Sequence, residues 1–115
     1  MHIISRKPIR EFCKLHPMAE PSLQRWFKIV SKARWTNFED ARKTFTSVDR
    51  VGEFLVFNIG GNKYRLIAGL TNYCHLQADG SLNNAKLFIK KICTHAEYSK
   101  IKIPDDLRRR SKKQS

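Results

Sequence analysis

Glu53-Phe54-Leu55-Val56-Phe57-Asn58-Ile59-Gly60-Gly61-Asn62-Lys63-Tyr64-Arg65-Leu66-Ile67-Ala68-Gly69-Leu70-Thr71 is the stretch that decides the fold. Residues 53–58 read as a strand. Gly60-Gly61-Asn62 supplies a turn that needs positive φ, and residues 64–71 return as a second strand. Along that second strand Tyr64, Leu66, Ala68 and Leu70 alternate with Arg65, Ile67, Gly69 and Thr71. The first set suits packing under helices, which leaves Arg65 on the opposite, open face near the middle of the sheet. A guanidinium placed there can hold a phosphate through two parallel hydrogen bonds.

Downstream, Asp79-Gly80 marks a hairpin and residues 85–93 form a third strand. Leu87-Phe88-Ile89-Lys90-Lys91 does not alternate cleanly, so the pattern leaves open which of Lys90 and Lys91 shares the face of Arg65. Thr94-His95-Ala96-Glu97 has the T-x-x-E form of a capping box and places a helix N-terminus at His95. His95 and Tyr98 are three apart and share a face of that short helical stretch, read as running to about Lys100. Imidazole and phenol beside a helix N-terminus, which attracts anions, form a pair suited to proton transfer at a phosphate. The tail after Pro104 has nothing to bury and is expected to be a disordered basic appendage of a domain spanning 1–103.

Upstream lie a short strand over 2–5 and a two-turn helix opened by Lys7-Pro8, with Ile9, Phe12 and Cys13 on one stripe. His16-Pro17 stops that helix. A longer helix over 19–33 carries Leu23, Trp26, Phe27 and Val30 at i, i+3, i+4, i+7, the spacing of a core-facing stripe. Asn37 caps a third, shorter helix, with Glu39 and Asp40 in its first turn. The order is one strand, two to three helices, then an antiparallel meander. That predicts an α+β domain with the helices packed on one face of an antiparallel sheet.

The chain has 115 residues, 41% of them hydrophobic and 10% aromatic, which supports one packed domain. No apolar run is long enough to cross a bilayer and no signal peptide is expected, so the reading is a cytoplasmic protein without a membrane partner. Cys13, Cys74 and Cys93 form neither an even disulfide set nor a C-x-x-C pair, and read as free thiols. Lys plus Arg number 23 against 10 Asp plus Glu, a net charge of +13. The tail over 104–115 contributes five basic and two acidic residues, net +3, so the other 103 residues still carry +10. The body itself is basic, which favours a polyanionic partner such as RNA. Phosphate-loop, dinucleotide, zinc-protease and RNP motifs are all absent from the sequence.

The segment from Phe57 to Ile67, with its G-G-N-x-x-R core, resembles the signature of HigB toxins, members of the wider RelE-like group of messenger RNA interferases. The exit Lys91-Ile92-Cys93-Thr94-His95-Ala96-Glu97-Tyr98 is similar to that family's second signature. Lys32-Ala33-Arg34-Trp35 and Phe45-Thr46-Ser47-Val48-Asp49 are similar to its helical half, and the likeness covers roughly residues 1–101. The resemblance implies a RelE-like fold, cleavage of messenger RNA in the ribosomal A site, and control by a HigA-type antitoxin with a helix-turn-helix region. It assigns Arg65, His95 and Tyr98 as catalytic and Lys63 and Lys91 as RNA-binding, and Lys90, which the strand pattern leaves open, stands beside them as an RNA-binding candidate. The implied reaction, attack of the RNA's own 2′-hydroxyl on the adjacent phosphorus, calls for no metal or cofactor. A longer hairpin over 73–85 and the basic tail depart from the family pattern. Two rivals stand beside this reading. One is a ParE-like gyrase inhibitor of the same fold, which lacks this catalytic set. The other is a basic RNA-binding module without chemistry.

Overall fold

The computed structural model describes residues 2–4, 6–61, 63–70, 75–76, 78–80, 82–83 and 85–100. The order is β1 (His2–Ile4), α1 (Lys7–Leu15), a 3-10 turn (Pro17–Ala19), α2 (Glu20–Lys32), α3 (Phe38–Thr44), β2 (Asp49–Val51), β3 (Phe54–Ile59), β4 (Tyr64–Leu70), β5 (His75–Leu76), β6 (Leu82–Asn83), β7 (Lys86–Thr94) and α4 (His95–Tyr98). The α+β expectation holds, and each expected helix is present. Asn37 caps α3 as its spacing predicts, its side-chain oxygen accepting from the Asp40 N–H at 2.9 Å.

Five strands make one sheet in the order β1-β7-β4-β3-β2. The meander β2-β3-β4-β7 is antiparallel, and β1 pairs with β7 in parallel at one edge. Parallel pairing is possible there because three helices and most of the sheet separate β1 from β7 in sequence, the long crossover that parallel neighbours require. Strand β2 was not expected. Its three residues Asp49, Arg50 and Val51 show no readable alternation, and pairing with β3 alone makes them a strand. The hairpin signal at Asp79-Gly80 falls between β5 and β6, which form a separate two-stranded ribbon, and Gly80 takes φ +92° there.

One core lies between the helices and the sheet. Leu23, Trp26 and Val30 of α2 and Phe12 of α1 pack against Leu55, Phe57, Leu66, Ala68, Leu87 and Ile92. Trp26 meets Phe57 edge-on with ring centres 5.3 Å apart. Phe27, expected in the same stripe, is half-buried, and the Arg6 guanidinium lies 4.3 Å from its ring centre. The sheet's other face is less open than expected. Phe54, Val56 and Ile67 are buried there, with Val51 and Tyr98 packed on them. The run Phe54-Leu55-Val56-Phe57 explains this, since a strand apolar at four successive positions buries both of its faces. The tail over 104–115 lies outside the described residues. Among the described residues no helix is long and apolar enough to cross a membrane.

Candidate active site

The first face of the site comes from strand alternation. Directly opposed residues in antiparallel strands project to the same side. Asn58 of β3, Arg65 of β4 and Cys93 of β7 are opposed across three strands. One step along, Asp49, Val56, Ile67 and Lys91 form the next row, spanning four strands. Arg65 is half-buried on this face, as its alternation predicts. Its Nη1 donates to the Tyr64 carbonyl at 3.3 Å, and its guanidinium carbon lies 5.5 Å from the centre of the Tyr98 ring.

The lysine ambiguity is settled by a bulge. Ile67 pairs with Lys91 but Ala68 pairs with Ile89, so Lys90 is the extra residue on β7. The bulge resets the alternation, which is why Leu87-Phe88-Ile89-Lys90-Lys91 reads as irregular in sequence. Lys91 therefore stands beside Ile67 on the Arg65 face. Lys90 also reaches that face: a Cβ placed on Gly69 would lie 3.4 Å from its Cε, and its ammonium is 5.9 Å from the Phe88 ring centre. Both lysines are exposed.

Helix α4 begins where the strand ends, and the capping box forms as its spacing predicts. The Glu97 N–H donates to Thr94 Oγ1 at 3.1 Å, while Glu97 Oε1 accepts from the Thr94 N–H at 2.9 Å. The bond from the Thr94 backbone holds the Glu97 carboxyl below the usual carboxylate range, and His16 and Lys91 add to that. The His95 N–H donates to the carbonyl of Lys63 at 3.0 Å, so the first residue of α4 is pinned to the end of the β3–β4 turn. The side chains of His95 and Lys63 are both exposed. One turn on, Tyr98 folds back over the apolar cluster of the sheet. Burial pushes its phenol above the ordinary range, the Asp49 carboxylate pushes further, and Arg65 pulls the other way. Tyr98 is thus protonated at neutral pH.

Arg65, Tyr98 and Lys91 therefore share one sheet face, with His95 at the adjoining helix start and Lys63 joined to it through the backbone. Two neighbours were not singled out from sequence. Asn58 faces Arg65 directly, a place its alternate position in β3 could have revealed. Asp49 reaches the surroundings of Tyr98 only through the β2–β3 register, for which the sequence carries no signal. Cys93, opposite Arg65, is buried, and burial raises its thiol while Lys91 and Arg65 oppose the shift. Cys13 is half-buried, both described cysteines are free, and Cys74 lies outside the described residues. Among the described residues no group of three or more His, Cys, Asp or Glu is placed to hold a metal ion.

A cavity of about 700 Å³ lies elsewhere, between α1 and α2, lined by Ile9, Leu23 and Phe27 with Arg6, Arg10 and Lys28 among its rim residues. None of Arg65, Lys91, His95 and Tyr98 lines it.

Comparison with known proteins matches residues 19–101 to the family described as HigB_toxin, RelE-like toxic component of a toxin-antitoxin system. The chain is 28% identical over 104 residues to the mRNA interferase HigB of Escherichia coli O6:H1, covering 88% of this chain and 91% of that protein. It is 25% identical over 101 residues to the mRNA interferase toxin HigB of Escherichia coli K12, covering 85% and 88%. The mRNA interferase HigB of Shigella flexneri matches to the same extent.

Proposed function

On the premise that this chain belongs to the HigB toxin family, we propose that it is a ribosome-dependent mRNA interferase, an endoribonuclease that cuts messenger RNA in the ribosomal A site. The observation that carries this reading is the Arg65–Tyr98 pairing beside the His95 helix start, on a basic face. A cation for a developing phosphorane and two proton-transfer groups stand together there.

In the proposed reaction the 2′-oxygen of the RNA attacks the adjacent phosphorus and the bond from phosphorus to the 5′-oxygen breaks. One proton leaves the 2′-hydroxyl and one arrives on the departing 5′-oxygen. Tyr98, held protonated by burial and by Asp49, is the donor to the leaving oxygen. His95 accepts the proton of the 2′-hydroxyl. Arg65 and Lys91 neutralise the extra charge on the equatorial oxygens, while Lys63 and Lys90 hold flanking phosphates. The products are a 2′,3′-cyclic phosphate and a 5′-hydroxyl.

A toxin with an exposed basic face requires neutralisation, and the partner proposed is a HigA-type helix-turn-helix antitoxin. The reaction places the protein in the cytoplasm, with domain limits of 1–103 and a basic appendage over 104–115 that adds charge for RNA. Induction in growing cells tests this function: translation should stop within minutes with loss of intact messages. A DNA-damage response with messages intact would instead mean a gyrase inhibitor.

A further inference from the structure

Beside the β3–β4 turn lies a second cavity of about 400 Å³, lined by Ser22, Arg25, Trp26, Asn58, Gly60 and Gly61 among others. Three features suit it to a negatively charged group. Trp26 is only 2% exposed, and its indole N–H meets no protein acceptor among the described residues. Trp26 lines the cavity, and a buried donor without a protein partner is costly until an acceptor reaches it. Arg25 supplies positive charge, and among the described residues no acidic one lines the cavity. Gly60 and Gly61 both take positive φ, +63° and +70°, and a Cβ on Gly60 would lie 3.5 Å from Ser22 Oγ and 3.3 Å from the Tyr64 ring. Positive φ reserves position 60 for glycine, and a Cβ there would crowd the Tyr64 ring rather than Ser22.

The cavity lies on the helix side of the sheet, at the end of β3, and shares one residue and one turn with the candidate active site. Asn58 lines it and also faces Arg65 across the sheet. The Gly60 carbonyl accepts from the Lys63 N–H at 3.4 Å, and the Lys63 carbonyl accepts from the His95 N–H at 3.0 Å. Two hydrogen bonds thus join the cavity's turn to the start of α4. The space is that of a site for a small ligand, and its donors are hydroxyl, indole N–H, amide and guanidinium.

We propose that this cavity is an anion subsite that takes a phosphodiester of the RNA strand one or more linkages away from the cleaved bond, with Arg25, Ser22 and the Trp26 indole N–H as its donors. The identity of the strand rests on the RNA-cleaving reading; the anion chemistry does not.

The chain has two tryptophans, and the indole of Trp35 already donates to Thr44 Oγ1 at 3.0 Å. Two indole signals in a nitrogen–proton correlation spectrum therefore report separately. Dimethyl phosphate, added to the full chain at low salt, should move the Trp26 signal saturably and leave that of Trp35 in place. Arg25→Ala, an exposed position, should weaken the response about tenfold, the scale of one charge-assisted bond. A short RNA with a 2′-deoxy sugar at the cleavage position, carrying one neutral methylphosphonate walked along the flanking linkages, supplies the second arm. One linkage should cost the native chain about tenfold in Kd and cost Arg25→Ala almost nothing. An unmoved Trp26 signal would mean that water alone fills the cavity and would overturn the proposal. So would a neutral linkage that costs both proteins equally. An intact phosphate response in a protein that cleaves no message on ribosomes would reject the RNA reading and retain the anion site.

Discussion

Arg65 and Tyr98 are 33 residues apart in sequence, yet the guanidinium carbon of one lies 5.5 Å from the ring centre of the other. Helix α4 makes this possible. Its capping box starts the helix at the end of β7, one turn brings Tyr98 back over the sheet, and Arg65 waits on the strand beside it. A cation over an aromatic face steadies both partners. Loss of the hydroxyl alone should therefore separate chemistry from packing. Tyr98→Phe should keep the melting temperature within a few degrees and lower the cleavage rate by ~10²–10⁴-fold, the usual contribution of a general acid. Single-turnover cleavage beside a thermal melt measures both.

The pH dependence follows from the direction of the Tyr98 shift. Burial and Asp49 raise its value in the folded chain, so the folded state holds this proton more tightly than the unfolded one. The stability it contributes is present below the unfolded value of about 10 and is lost as pH rises through the higher folded value. In the rate profile, the fall on the alkaline side that reports the acid should lie at or above about pH 10. Asp49→Asn should move that fall to lower pH without a change in the acid limb, which a pH–rate series on the variant reads directly.

Glu97 behaves in the opposite sense. Its folded value is depressed by the Thr94 backbone bond, so its stabilisation is present above the unfolded value of about 4.3 and lost as pH falls through the folded value. Below about pH 4 the start of α4 should loosen. Thr94→Ala removes the same box at neutral pH and should cost about 1 kcal/mol of stability, with a larger loss of cleavage because His95 and Tyr98 lose their placement. Urea unfolding and cleavage rates on one preparation test the pairing of the two effects.

The bulge at Lys90 yields a further expectation. Lys91 stands in the row next to Arg65, and Lys90 lies further off over Gly69. Lys91→Ala should reduce the cleavage rate on bound ribosomes, whereas Lys90→Ala should mainly weaken binding and flatten its salt dependence by about one counterion. Deleting Lys90 should leave Lys91 opposite Ile67, because it removes only the bulged residue, so its cleavage rate on bound ribosomes should resemble that of Lys90→Ala rather than that of Lys91→Ala. Rates at saturating ribosome separate Lys91→Ala from the other two variants.

Much of this was legible in sequence because local rules decided it. The T-x-x-E spacing placed α4, and alternation along β4 put Arg65 opposite the core. The α2 stripe through Leu23, Trp26 and Val30 became the core it promised. What was not legible depended on pairing. The parallel docking of β1 on β7, the existence of β2 and the nearness of Asp49 to Tyr98 all follow from register between distant segments. The buried second face followed from four consecutive apolar residues in β3, read as a strand without the further step that both its sides must be covered.

The central claim is that the RNA supplies its own nucleophile while Arg65, His95 and Tyr98 serve the proton transfers and the charge. Its most direct measurement is the end chemistry of messenger RNA cut by the purified chain on programmed ribosomes, with one substrate carrying a 2′-deoxy sugar at the cleaved position. The expected result is fragments with 5′-hydroxyls and 2′,3′-cyclic phosphates, no cutting of the deoxy substrate, and rates lowered by ~10²–10⁴-fold in His95→Gln and Arg65→Ala. Fragments bearing 5′-phosphates, cutting at the deoxy position, or near-native rates from both variants would contradict it.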